Sequence, residues 1–150
     1  MKIVLQKVSE ASVTVGNAIV SQIKHGYMLL VGIGVDDTVE DIDKLSKKIL
    51  NFRGFDDDSG YGWKRNIKDV GGEILSVSQF TLLARTNKGT KPDFHLAQRG
   101  DLANELYEQF LDRLKAGLGE EKIKNGVFGA MMSCQLTNEG PVTIIFDSKA

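Results

Sequence analysis

The stretch "VSQFTLLA", residues 77–84, sets Ser78, Gln79 and Thr81 among residues that otherwise call for burial. Hydroxyl and amide side chains in such a setting can bind, orient or attack an acyl group. Thr81 is a nucleophile only if a base activates it, and no candidate base is adjacent in sequence. The same three side chains also suit an ordinary strand with one polar face, its hydroxyls tied to neighbouring backbone. A second stretch, "TNEGPVTIIF" at 137–146, holds one of the chain's two prolines. Gly140-Pro141 precedes the strand-forming run Val142–Phe146, although both residues weaken strand pairing. A turn at the mouth of a strand is the structural explanation.

Other constellations are poorly supplied. No serine stands in GxSxG, which excludes a hydrolase elbow. One cysteine and two scattered histidines cannot give a standard zinc spacing, so no metal or other cofactor is implied. Gly32 and Gly34 form a GxG without the third glycine of a dinucleotide loop, and "KGTK" at 88–91 lacks the upstream glycine of a phosphate loop. Cys134 reads as a small core residue in a strand. His25 falls at a turn before a strand, and His95 in a surface loop.

The elements that must position these residues follow from periodicity. "KIVLQKV", "SVTV" and "AIV" read as short strands, the last two joined by a Gly16-Asn17 hairpin. "GYMLLVGIG" reads as a strand buried on both faces. Val39, Ile42, Leu45 and Ile49 recur at helical spacing, with Thr38 and Asp41 as a capping box and an end near Phe52–Gly54. "DDDSGYG" is a solvated acidic loop. "GGEILSVSQFTLLA" returns to strand character. A helix then carries Leu102, Leu106, Phe110, Leu111 and Leu114 on one stripe, with Asp101 as N-cap and Gly117 or Gly119 as its stop. "VFGAMMSCQL" and "PVTIIFD" are expected to be paired strands joined at Gly140-Pro141. The order β-β-β-β-α-β-α-β-β predicts an α+β fold, a curled, barrel-like mixed sheet packed with two main helices, as one domain over 1–150.

Composition bounds the partners. The 150 residues carry 19 Lys+Arg against 20 Asp+Glu, a net charge of −1, so any nucleic-acid contact must rely on local patches. The basic loop "RTNKGTKPDFHLAQRG" supplies one, with Lys88 and Lys91 as expected phosphate contacts. The single cysteine fits a reducing compartment. "MKIVLQKVSE" has no cleavage-site pattern and no run is long enough to span a membrane, so a cytoplasmic protein is expected.

"SQFTL" at 78–82 together with "NEGPVT" at 138–143 resembles the two signature motifs of D-aminoacyl-tRNA deacylases, editing enzymes that cleave D-amino acids from tRNA. The resemblance runs through "QKVSEASVTV", "GGEILSVSQFTLLA", "KGTKPDFHLA" and "FGAMMSCQLTNEGPVT". It implies a homodimer with active sites at the subunit interface. Gly140-Pro141, with a cis peptide bond, is then expected to reach from one subunit toward Ser78, Gln79, Phe80 and Thr81 of the other. Their carbonyls would exclude an L-side chain, while a D-side chain points away and glycine fits. Phe80 is expected to support the pocket, and Phe128 and Met132 to line it. The resemblance also implies water as the attacking group, backbone N–H groups around Phe80 and Thr81 at the oxyanion, and help from the terminal ribose 2′-hydroxyl. Lys7 stands where many relatives have arginine, and Trp63 where many have methionine, so the pocket edge departs from the family pattern. Two other classes fit the composition: a non-catalytic nucleic-acid-binding module, and an esterase for free D-amino-acid esters.

Overall fold

The computed structural model describes residues 1–150. The chain opens on β1 (Lys2–Val15), turns at Gly16-Asn17 into β2 (Ala18–Ile23) and returns as β3 (Gly26–Gly32). There follow α1 (Val39–Asn51), β4 (Glu73–Ser78), a 3-10 turn (Phe80–Leu83), α2 (Gly100–Leu118), β5 (Ile123–Asn125) and β6 (Ser133–Asp147). The hairpin is the expected one, with Val15 opposite Ala18 across a two-residue loop. "KIVLQKV" and "SVTV", however, belong to one strand. β6 pairs along β1 from Lys2–Asp147 to Thr14–Ser133, with register shifts on both sides of Val8, and this shared partner keeps the chain extended through Ser9-Glu10. β6 is likewise a single strand, so Gly140-Pro141 lies within it and is not a turn between two strands.

β3, β4 and β5 are mutually parallel. Parallel neighbours need long crossovers, and α1 and α2 are those crossovers. Both helices cover the same face of the sheet. Ile42, Leu45 and Ile49 of α1 and Leu106, Phe110, Leu111 and Leu114 of α2 pack with Ile3, Leu5, Leu29, Val31 and Ile74 in one core. Val39 and Leu102, in the first turns, stay exposed. The other face curls around a smaller core of Val8, Ala11, Val13, Ile23, Met28, Leu75 and Val77. The Ser21 hydroxyl donates to the Asn125 carbonyl and draws β2 toward β5, so the mixed sheet nearly closes into a barrel. No helix is long and apolar enough to cross a membrane.

The helix ends show both agreement and correction. Thr38 and Asp41 form the capping box: the Thr38 hydroxyl accepts from the Glu40 amide at 3.3 Å, and Asp41 accepts from the Thr38 amide at 2.8 Å. Partial burial opposes the Asp41 charge, but the Thr38 amide, Ser148 and Lys149 together hold its carboxyl below the ordinary range. α2 starts differently. Its N-cap is Arg99, without a side-chain cap bond, and Asp101 sits in the first turn, where its charge favours the helix dipole instead. Gly119 is the C-cap.

One buried polar group ties the crossover helix to the parallel strands. The Tyr107 hydroxyl donates to Asn125 Oδ1 at 2.7 Å and accepts from the Ser76 hydroxyl at 3.0 Å. Burial raises its pKa well above the ordinary phenol value, so it remains a donor. Tyr107→Phe leaves both partners unsatisfied in the interior, and a loss of about 1–3 kcal/mol is expected. Urea unfolding should show a lowered midpoint with an unchanged slope; an unchanged midpoint would remove Tyr107 as a link between α2 and the sheet.

Candidate functional site

The carboxyl ends of β3, β4 and β5 lie on one edge of the sheet, the usual place for ligands in parallel sheets. β4 stops at Ser78, whose register partner is Val31. The expected strand through Leu82 is not formed. Instead the chain turns at Gln79 into the 3-10 segment Phe80–Leu83, held by Leu82 N to Gln79 O at 3.3 Å and Ala84 N to Thr81 O at 3.1 Å. The turn rests against Gly32 at the end of β3. A Cβ there would come within 2.6 Å of Leu83 Cδ2 and 3.1 Å of the Gln79 carbonyl oxygen, so only glycine lets the turn close.

This geometry orients the motif. Gln79 Nε2 donates to Thr81 Oγ1 at 2.6 Å, which fixes the two polar side chains on each other. The amides of Phe80 and Thr81 open the turn, and the first N–H groups of a helical turn have no partner within the turn itself. Phe80 is 52% exposed, and its ring meets the edge of Phe94 at 5.1 Å. Phe94 is carried by a segment whose neck is closed by paired Arg85 and Asp93 backbone bonds of 2.8 and 2.9 Å. Lys88 and Lys91 lie in the exposed lobe beyond that neck. His95 is exposed and contacts Asp93, whose carboxyl this contact holds below the ordinary range.

Phe128 and Met132 do not lie in a strand. They fall in the 126–132 loop that leaves the end of β5 after the last rung of the ladder, Gly126 N to the Ser76 carbonyl. Phe128 is half-exposed and leans on Tyr107 at 5.9 Å. Met132 packs on the smaller core, and its sulfur accepts the Val127 amide. Cys134 is exposed on β6 and is not the core residue expected; partial cover still raises its thiol pKa. His25 sits in the bend just before β3, as expected, and stacks edge-on against Phe55.

Gly140-Pro141, which has the expected cis bond, belongs to a bulge. Gln6 pairs Thr143 and Val8 pairs Asn138, so Lys7 alone faces residues 139–142. Asn138 staples the base of the bulge. Its Oδ1 accepts the Val142 amide at 2.7 Å, and its Nδ2 donates to the Val142 carbonyl at 3.2 Å and to Thr143 Oγ1 at 2.9 Å. Gly140 has φ 134°, and a Cβ would meet Val142 Cγ2 at 2.8 Å. Glycine is required there.

Within one chain the two motifs are apart. The bulge faces Lys7, in the row Lys7–Tyr27–Ile74 near the start of β3 and β4, whereas Ser78 ends β4. Four residues along the strand and three strand spacings across amount to roughly 13 Å and 14 Å along the sheet. A groove of about 530 Å³ on the outer barrel, lined by Glu10, Ser12, Gln22, Lys24, Glu73 and Thr137, includes none of the motif residues.

A family model described as D-Tyr-tRNA(Tyr) deacylase matches residues 4–147. The chain belongs to the D-Tyr-tRNA(Tyr) deacylase family. Its relatives in this deacylase family include the D-aminoacyl-tRNA deacylase of Kluyveromyces lactis, 85% identical over the whole of both chains. That of Saccharomyces cerevisiae is 70% identical over 99% of each. A solved structure of a c-Myc DNA Unwinding Element Binding Protein, 46% identical, covers all of both chains with a TM-score of 0.95. The deacylase fold is therefore shared along the entire chain.

The staple offers a direct test of whether the bulge matters beyond the fold. Asn138→Ala removes three hydrogen bonds from an edge strand while leaving the rest of the β1–β6 ladder in place. Deacylation of D-Tyr-tRNA should fall at least about tenfold, with a stability loss of only about 1 kcal/mol. Full activity with unchanged stability would show that the bulge needs no staple.

Proposed function

We propose that this chain hydrolyses the ester joining a D-aminoacyl group to the 3′-terminal adenosine of tRNA, releasing the free D-amino acid. The full-length identity to named deacylases carries this reading. The site suits the chemistry. An aminoacyl ester is already activated, so the protein must place water and stabilise the oxyanion, and the Phe80 and Thr81 amides at the start of the turn are the proposed donors for that charge. No base is adjacent to Thr81 in sequence, and its hydroxyl is engaged with Gln79. Thr81 is thus a positioning group, and the ribose 2′-hydroxyl assists the attack.

The working unit in this proposal is a homodimer. The distance between the two motifs in one chain supports it, since a shared pocket needs Gly140-Pro141 from one subunit beside Ser78–Thr81 of the other. The carbonyls of Gly140 and Pro141 then occupy the space of an L-side chain, and a wall of that kind accepts glycine along with any D-residue. Phe128 lines the same edge. Glycyl-tRNA is accordingly a second substrate, and the cytoplasm is the compartment where both are formed.

Single-turnover cleavage of D-Tyr-tRNA, L-Tyr-tRNA, Gly-tRNA and D-Tyr ethyl ester tests the reading. D-Tyr- and Gly-tRNA should be cleaved on the order of a hundredfold or more faster than L-Tyr-tRNA, about 2.7 kcal/mol of discrimination. Equal cleavage of the L-form would remove the wall. Cleavage of the ethyl ester alone would favour a small-molecule esterase, and binding without cleavage a nucleic-acid module. Thr81→Ala should retain deacylation within about tenfold, and a 2′-deoxy terminal adenosine should cost more. Near-total inactivation of a folded Thr81→Ala protein would make the threonine hydroxyl chemical after all.

The exposed lobe at Lys88 and Lys91 is the proposed phosphate contact. Each such contact contributes a log–log salt slope of about −0.7 to −0.9. Replacing both lysines with alanine should flatten the slope by about 1.4–1.8 and weaken D-aminoacyl- and glycyl-tRNA alike. An unchanged slope would move the footprint to another surface.

A further inference from the structure

Trp63 is the only non-glycine residue of the chain with positive φ, 61°, and bulky side chains rarely adopt that conformation. Its ring is 56% exposed, and Tyr61 beside it is 68% exposed. The loop that presents them is rigid. Phe55 and Arg65 close its base through backbone bonds of 3.1 and 2.9 Å, and Lys64 N reaches the Phe55 carbonyl at 2.9 Å. Asp57 Oδ1 accepts the Ser59 and Tyr61 amides. Phe52 supports the indole from behind at 6.2 Å. The chain therefore holds an aromatic face outward in a single, unfavourable conformation.

The surrounding charge decides what such a face suits. Of the three aspartates in the loop, Asp58 pairs with Arg65 at 3.2 Å, Asp57 is occupied with amides, and Asp56 is exposed without an ion pair. Arg53, Lys64 and Lys68 are exposed and form no ion pair. An exposed indole flanked by free cations is the arrangement that stacks an unpaired base and tracks its phosphate. Placement points the same way. Lys7, which alone faces the Gly140-Pro141 bulge, lies over the Phe55 ring at 5.3 Å, and Phe55 forms the base of the Trp63 loop. The loop and the bulge are thus neighbours.

We propose that Trp63, with Lys64, stacks an unpaired nucleobase of the single-stranded 3′ end of tRNA, from the same subunit that supplies Gly140-Pro141. This rests on tRNA being the substrate, but its test does not need hydrolysis. Trp63 is the chain's sole tryptophan, so its fluorescence reports the contact directly. The probe is a deacylated RNA minihelix ending in a CCA tail, compared with the same helix blunt-ended, in titrations of the intact protein.

The expected result is saturable quenching by the tailed helix and little by the blunt one. Trp63→Ala should weaken binding of the labelled tailed helix about 5- to 150-fold, Trp63→Phe should restore most of it, and the change in D-Tyr-tRNA cleavage should fall on KM. No quenching by a tailed helix that binds, or equal quenching by both helices, overturns the proposal. So does loss of the wild-type oligomeric state in Trp63→Ala by light scattering, since the ring would then be an interface residue. Quenching in a protein that cleaves no D-Tyr-tRNA keeps the stacking site and removes the proposed reaction.

Discussion

Three adjacent parallel strands cannot be joined by hairpins, and much of this molecule follows from that constraint. The β3–β4 and β4–β5 connections each need a crossover, which α1 and α2 supply on a shared face of the sheet. The same constraint gathers three carboxyl ends on one edge. The 3-10 turn, the lobe with Lys88 and Lys91, and the Phe128 loop all begin there. The antiparallel strands do a different task. β1 runs between β3 and β2 on one side and β6 on the other, and it carries β6 past the opposite end of the parallel strands.

The two ends of the sheet are therefore built by different means. At one end, backbone termination starts a tight turn: β4 stops, and the N–H groups of Phe80 and Thr81 lack a partner within the turn itself. At the other, backbone excess exposes carbonyl-bearing residues: β6 carries four residues opposite the single Lys7, and Asn138 holds the surplus in shape. Donors and acceptors of opposite polarity thus sit at opposite ends of one subunit. The homodimer proposed above would bring each set against the other.

Legibility in the sequence tracked local physics. The helices were readable because a 3.6-residue stripe and the Thr38–Asp41 capping box are local signals, and the Gly16-Asn17 hairpin likewise. The continuity of β1 and β6 was not readable, since it depends on each being the other's partner over a long stretch. β5 escaped because three residues carry no period. "SQFTLLA" reads as a strand by apolar content, and only its contact with Gly32 makes it a turn. Asp101 looked like a cap by residue type, yet the chain turns at Gly100 and gives the cap to Arg99. For the candidate site, the motif residues were identifiable by resemblance. Their separation within one chain was not, because it is a property of register.

The bulge in β6 has an evolutionary side. Beyond residues 139–142 the strand pairs with β1 again, so shortening that segment would remove the larger of the two interruptions in the ladder. Folding alone gains from such a deletion: more rungs, and no glycine held at φ 134°. Drift toward a more stable sheet and retention of the projection therefore pull in opposite directions. If the projection serves the reaction as proposed, a lineage relieved of that duty would lose it before it lost the fold, leaving a sturdier protein.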